Sequence, residues 1–383
     1  MEKVRLGIIG LGHRGVLVDS WREDPRVEII AGADINEQRL ADFQKENQGA
    51  AIFTDYRKVL AMDEIDAVAI TSPDYCHEEQ AVAAFNAGKH VFCEKPLAIT
   101  VEGCDNILRS WQESGKKFMV GFNMRYMNQF RTMKEISDSG LLGEIKAVWV
   151  RHFVGLGGWY YYHDWHGLKE NCNSLLLQKG SHDIDIIHWI TGHYTKRVAA
   201  FGSLDYYGGD KPDSLTCPEC SERETCPDQG GELFEQCAFR KEIDIEDNNV
   251  MIMELDNGIK ATYMQCHFTP DYERNYVFIG TEGRMENHQL EGKVIVKTRR
   301  RFGKKSLADR IYKVKPAEGG HSGADPVICK DFIDMIINNI EPVATPLAGR
   351  MSVAAGCAAA CSLREGGVPK EVKPVPMYIQ NNS

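Results

Sequence analysis

Three stretches of this 383-residue chain carry residue types and spacings that could do chemistry. The first is Glu94-Lys95-Pro96, directly after the short apolar run Val91-Phe92-Cys93. A lysine delivered by a strand end can polarise a substrate oxygen. It can also act as a base if burial or a nearby positive charge lowers its ordinary pKa of about 10.4. An ion pair of Lys95 with Glu94 is the plainer alternative, but adjacent side chains on a strand face opposite ways. The second stretch is Tyr160-Tyr161-Tyr162-His163-Asp164-Trp165-His166. Aromatic planes with polar tips suit sugar rings, so Tyr161, His163, Trp165 and His166 are candidate substrate contacts. A metal held by His163, His166 and His182, or a buried aromatic cluster with locally satisfied histidines, fits the same residues. The third is Cys217, Cys220, Cys226 and Cys237, in a segment rich in Pro, Glu and Gly with no visible helix or strand period. C-x-x-C spacing places two thiolates on one tetrahedral metal. A structural zinc suits the set, an iron–sulfur cluster is the second choice, and ordinary thiols or disulfides are the other reading.

The elements that must position Lys95 read clearly. Val4 to Ile9 is a short apolar run, as a buried parallel strand would be. It leads into Gly10-Leu11-Gly12-His13-Arg14-Gly15, a G-x-G-x-x-G, then amphipathic residues 16 to 22. A second strand, Val27 to Ala33, ends at Asp34. The first glycine permits a tight turn, the second admits a pyrophosphate, and the third lets helix and strand pack closely. Gly10, Gly12, His13, Arg14 and Gly15 are therefore candidate cofactor contacts. An acid at Asp34 hydrogen-bonds the ribose 2′-hydroxyl and repels a 2′-phosphate, favouring NAD over NADP, with nearby Arg39 working slightly against that preference. Asp34 also reads as a helix N-cap, with Glu37 as capping glutamate. Ile65 to Thr71 continues the alternation, then Ser72-Pro73-Asp74 turns and residues 77 to 87 form a helix capped by Gly88. Lys89 to Cys93 delivers Lys95. Gly10, Asp34, Ser72 and Lys95 thus all fall at carboxyl ends of strands, where such sheets bind ligands.

After residue 122 the pattern changes. Residues 145–153, 197–206, 250–255, 259–267 and 276–280 read as strands, and Asp256-Asn257-Gly258 is a hairpin signal. Strands in succession imply a mostly antiparallel sheet. Two late helices are expected near 325–339 and 347–364. The expected class is α/β, with an N-terminal Rossmann dinucleotide-binding domain (1–122) and a C-terminal α+β domain (123–383). The latter has an open-faced sheet and a Cys-rich loop at about 207–240.

The chain resembles the glucose–fructose oxidoreductase and inositol dehydrogenase (Gfo/Idh/MocA) family of NAD(P)-dependent sugar enzymes. The resemblance rests on the glycine motif, Thr71-Ser72-Pro73 with His77, Glu94-Lys95-Pro96, Gly121-Phe122-Asn123 with Arg125-Tyr126, Gly140-Leu141-Leu142-Gly143-Glu144, and Gly180-Ser181-His182-Asp183-Ile184-Asp185. It implies a catalytic lysine, Lys95, touching substrate and nicotinamide, and a catalytic histidine, His182. It also implies cofactor contacts by Thr71, Ser72, His77 and Glu94, and an open-faced sheet that joins subunits into a homodimer or homotetramer. Where the family usually has an aspartate four residues before the histidine, this chain has Gln178, which cannot take a proton. Asp183, Asp164 or the cofactor ribose could supply a partner. Arg125, Gln178 and Asp183 join the candidate substrate contacts, Arg125 with an equal case as part of the domain junction. The expected activity is NAD-dependent oxidation of a ring hydroxyl of a sugar, cyclitol or glycoside. Redox-assisted elimination that recycles NAD is the second reading, and a non-catalytic sugar or NAD sensor the third.

Composition agrees with a folded protein: 43% hydrophobic, 26% charged, net charge −10. An acidic chain has no general attraction for nucleic acid or anionic membrane; the expected partner, a small carbohydrate, is what the resemblance implies. The basic run from Lys297 to Lys305 reads as a solvated hairpin edge or a contact with an acidic partner subunit, with nucleic acid as an outside case. Neither a signal peptide nor a membrane span is visible, and the expected address is cytoplasmic.

Overall fold

A computed structural model describes residues 3–155, 158–231, 235–299 and 308–380. Most of the basic run, residues 300–307, lies outside these. Two compact units emerge. The first comprises Met1–Arg131, Pro316–Val353 and Pro374–Ser383, and the second Thr132–Lys315 and Ala354–Lys373. The boundary drawn at residue 122 therefore differs from the contact-based one, because the chain returns to the first unit after residue 315.

The first unit holds six parallel strands: β1 (Val4–Ile9), β2 (Val27–Ala33), β3 (Ala51–Phe53), β4 (Ala67–Ile70), β5 (His90–Cys93) and β6 (Phe118–Val120). Their order is β3-β2-β1-β4-β5-β6. This is the doubly wound order in which the connections change direction between β1 and β4, opening a crevice at their carboxyl ends. Every residue of β4 is buried, as a central parallel strand requires. Trp21 packs edge-on against Phe92 and Phe332, so the late helix that ends at Asn338 belongs to this core. Fully buried Arg350 donates to Asp105 (3.0 Å) and to the Pro374 carbonyl (2.8 Å), fastening both returning segments.

The second unit is built on nine strands: β7 (Ile145–Phe153), β8 (Thr195–Ser203), β9 (Asn248–Leu255), β10 (Lys260–Cys266), β11 (Glu273–Gly280), β12 (Gly283–His288), β13 (Lys293–Thr298), β14 (Arg310–Lys313) and β15 (Lys370–Glu371). Their order is β14-β13-β12-β11-β7-β10-β9-β8-β15, antiparallel except for the β7–β10 pair. Alternation assigns the faces: Met251, Met253 and Leu255 of β9 are buried, while Val250 and Ile252 are exposed. Helix Gly180–Thr191 and residues 354–364 cover the buried face, where the Ser362 hydroxyl accepts from the Ala200 amide at 3.0 Å. Trp149, Phe201, Ile252 and Met264 stand exposed on the other. The expected α/β class, with a Rossmann sheet followed by a mostly antiparallel open-faced sheet, is what the chain adopts.

Candidate active site

At the end of β1 the backbone of Gly10 takes φ +91°, and a Cβ there would sit 2.5 Å from the Ser72 amide nitrogen. Only glycine allows the β1 and β4 ends to approach this closely. Thr71 closes the turn, its hydroxyl donating to the Gly10 carbonyl at 2.5 Å. A Cβ on Gly15 would meet nothing within 4 Å, which leaves open space along the loop. Asp34 accepts from the Leu11 amide at 2.7 Å and from the Asn36 amide at 2.8 Å. The helix Glu37–Glu46 is capped instead by Asn36, whose side chain accepts from the Arg39 amide at 3.1 Å. The capping reading of Asp34 therefore yields to one in which its carboxylate is tied to the glycine loop. Arg39 lies 3.8 Å from Asp34 and 3.3 Å from where a Gly12 Cβ would stand. An open glycine loop with an acid fixed beside it fits a dinucleotide's pyrophosphate and ribose.

Glu94 is buried and takes two bonds from one arginine: Arg14 Nε at 2.8 Å and Nη2 at 2.7 Å. Its other oxygen accepts the Lys95 amide at 3.0 Å. Gly121 is required beside it, since a Cβ there would fall 2.9 Å from the carboxylate. His77 is fully buried, with Nδ1 2.7 Å from the Pro96 carbonyl and Nε2 2.9 Å from the Ser72 carbonyl. Both nitrogens thus face backbone. The side chain acts as a brace between two loops of the ligand edge, whereas the resemblance implied a direct cofactor contact. Ser72 turns its hydroxyl to Gln80 at 2.6 Å, and His13 is exposed. Arg125 is buried and donates to the Val343 carbonyl at 2.5 Å, an anchor inside the first unit.

In the second unit Gln178 and His182 are buried, one ending the short helix Leu175–Gln178 and the other in the first turn of Gly180–Thr191. Gly180 gives this helix its close seat, a Cβ there lying 3.1 Å from the Tyr263 ring. Asp183 departs from expectation. Its carboxylate accepts from the hydroxyls of Tyr263 (2.9 Å) and Tyr276, with His152 Nδ1 at 3.3 Å and Arg274 Nε at 3.7 Å. Burial alone would raise its pKa, but Arg274 and His152 hold it well below the usual carboxylate range. Burial, with Arg274 adjacent, pushes His152 down to about 3. Asp183 is therefore committed to the sheet beneath the helix, a buried brace and not a substrate contact.

The aromatic stretch is likewise committed to the fold. Tyr161 and Tyr162 pack in a core cluster with Val154, Tyr207 and Ile245. Trp165 stacks on His166 with ring centroids 3.6 Å apart. His163 sits between two carbonyls across the Cys-rich loop, Nδ1 beside that of Gln236 and Nε2 2.6 Å from that of Asp228, and its ring N–H donates to one of them. Fully buried Arg240 adds bonds to the carbonyls of Tyr162 (2.5 Å), Cys237 (3.2 Å) and Asp164 (3.2 Å). These polar clamps order a segment for which a metal had been expected. Cys217, Cys220, Cys226 and Cys237 are free thiols, and burial raises the pKa of Cys226 and Cys237. Among the described residues no group of three or more His, Cys, Asp or Glu side chains could hold a metal ion, which goes against both the zinc and the three-histidine readings. Sequence reasoning passed over His321 and Asp325, which the structure joins to Arg14, and gave no separate role to Asn123, which donates to Asp325. Gly319-Gly320-His321-Ser322-Gly323 before a helix was the available signal.

Comparison with known proteins agrees with this arrangement. Residues 4–122 match the family described as an oxidoreductase family with an NAD-binding Rossmann fold, and residues 130–286 match the Gfo/Idh/MocA C-terminal domain. Inositol 2-dehydrogenase of Salmonella typhimurium LT2 is 31% identical over 200 residues, 52% of this chain and 56% of that protein. The chain thus spans little more than half of that relative. Apo scyllo-inositol dehydrogenase from Lactobacillus casei superposes with a TM-score of 0.72 at 21% identity, over 97% of this chain and 98% of the other. Levoglucosan dehydrogenase in complex with NADH and levoglucosan gives 0.78 at 18% identity, over 98% of this chain and all of the other. With both its Rossmann and its C-terminal part matched, the chain belongs to the Gfo/Idh/MocA family of oxidoreductases.

Proposed function

We propose that this protein is an NAD-dependent dehydrogenase that oxidises a ring hydroxyl of a sugar, cyclitol or glycoside. The observation that carries the reading is the state of Glu94. Its carboxylate is taken up by Arg14 and by the Lys95 amide, which fixes the backbone of a lysine at the ligand edge of a dinucleotide fold. Inositol 2-dehydrogenase and levoglucosan dehydrogenase among the similar proteins support a polyhydroxylated ring as substrate. Gly10, Gly12, Arg14, Gly15 and Asp34 would hold the cofactor, which when bound accepts hydride at its nicotinamide ring. Asp34 favours NAD by accepting from the ribose hydroxyl and repelling a 2′-phosphate. Lys95 polarises the substrate oxygen, and His182 takes the hydroxyl proton. The exposed apolar face at Trp149, Phe201, Ile252 and Met264 joins two copies of the chain. A spectrophotometric screen for NADH formation over inositols, aldoses and glycosides tests the activity. Stoichiometric NADH supports it. Product without net NADH points instead to redox-assisted elimination.

A further inference from the structure

Residues Gly319 to Asp325 form a turn that the proposed activity does not account for. His321, Ser322 and Gly323 have φ of 49°, 56° and 79°, three consecutive residues in the left-handed region. That conformation is costly for residues bearing a Cβ and persists only where the surroundings enforce it. Here they do. His321 Nδ1 lies 2.8 Å from Asp325, and the Gly323 amide donates to the Gly319 carbonyl at 3.1 Å. A Cβ on Gly320 would fall 2.4 Å from the Asp325 carboxylate, so the turn is wrapped tightly onto that side chain.

Asp325 faces the glycine-rich loop. Its Oδ1 accepts from Arg14 Nη2 at 3.3 Å and from Asn123 at 3.0 Å, and Arg14 Nη1 approaches the His321 ring at 3.3 Å. Arg14 is thereby bracketed by two carboxylates, Glu94 and Asp325, each with only 4% of its side chain exposed. One carboxylate is enough to neutralise one guanidinium. A second, held on a strained turn, adds no charge balance but removes the freedom of Arg14 to move. Arg14 belongs to the loop that must be shaped for a pyrophosphate.

We propose that Asp325 and His321 are positioning residues of the dinucleotide site: through Arg14 they hold the glycine-rich loop and Glu94 in the form that binds cofactor. This rests on the NAD-binding reading of the first unit and on nothing about the substrate. Affinity for cofactor then depends on a turn 311 residues downstream of the loop it serves.

Titration of the full chain with NADH, followed by fluorescence, decides it. Asp325→Asn keeps the size and the Asn123 contact and removes the charge. It is expected to raise the NADH Kd about tenfold, as loss of one charge-assisted hydrogen bond would, with Tm close to that of the wild type. In an Arg14→Gln background the same change should cost nothing further, because its effect runs through Arg14. His321→Asn, with a residue that tolerates the left-handed conformation, should weaken NADH severalfold and covers the case in which Asp325→Asn does not fold. An NADH Kd within twofold of wild type in both variants, or fully additive losses in the double variant, overturns the proposal. If the wild type itself binds no NADH, the cofactor reading fails and not the strap alone.

Discussion

Replacing Asp34 with serine tests the cofactor choice quantitatively. The carboxylate is fixed on two backbone amides, at 2.7 and 2.8 Å, so it cannot swing away from an incoming phosphate. A single extra negative charge about 4 Å from it costs roughly 4 kcal/mol at an effective dielectric constant near 20. Solvent at the mouth of the loop reduces this to about 2 kcal/mol, or about thirtyfold in affinity. Loss of the ribose hydrogen bond should cost NADH about tenfold. Arg39 reinforces the change: its guanidinium, 3.8 Å from Asp34, loses its acid and becomes available to a 2′-phosphate. Asp34→Ser should therefore shift the ratio of NADPH to NADH affinity by on the order of 300-fold, the product of the two effects. Fluorescence titration with each reduced cofactor measures this without knowledge of the substrate. The reasoning is refuted if wild type already binds NADPH as tightly as NADH, or if the variant moves the ratio less than threefold.

Three further outcomes follow from buried and exposed groups elsewhere. His152 is held down to about 3, whereas a free histidine titrates near 6.5, so between those values only the unfolded chain takes the proton. Stability should fall as pH drops below about 6.5, by on the order of 1 kcal/mol per pH unit for this group; urea unfolding of His152→Gln should show a shallower slope, and an unchanged slope contradicts the assignment. Arg240→Ala strips three carbonyls of their buried donor and should cost about 3 kcal/mol or more, read as a lowered Tm with early proteolysis in the Cys-rich loop; cleavage rates like wild type would count against the clamp. Trp149→Asp places a charge on the open sheet face and should reduce the mass found by light scattering; a wild-type chain that is already monomeric contradicts the subunit contact.

Much of the fold was readable because its signals are local. β1, β2 and β7 coincide with the expected strands, since each is a continuous or alternating apolar run. β12 was missed because Gly-Arg-Met-Glu-Asn-His reads as polar, and β3 and β15 are too short to show a period. The candidate site was legible where a motif fixes a backbone, as at Gly10 and Asp34, and not where a side chain could turn either way. Asp183 follows His182 directly, yet only the sheet beneath the helix decides that its carboxylate goes to Tyr263 and Tyr276. The Cys-rich loop misled for a physical reason: its ordering groups, His163 and Arg240, bond to backbone carbonyls, which no residue pattern records. Asp325 was invisible because its partner Arg14 lies at the other end of the chain.

The central claim is that Lys95 acts on the substrate while the glycine loop and Asp34 hold the cofactor. Lys95→Ala, assayed side by side for NADH affinity and for turnover on whichever polyol the wild type oxidises, separates the two roles. The account predicts an NADH Kd within about threefold of wild type and a kcat lowered by about a hundredfold or more, the range expected on removing a group that polarises the substrate oxygen or moves its proton. A variant that turns over at the wild-type rate would contradict it.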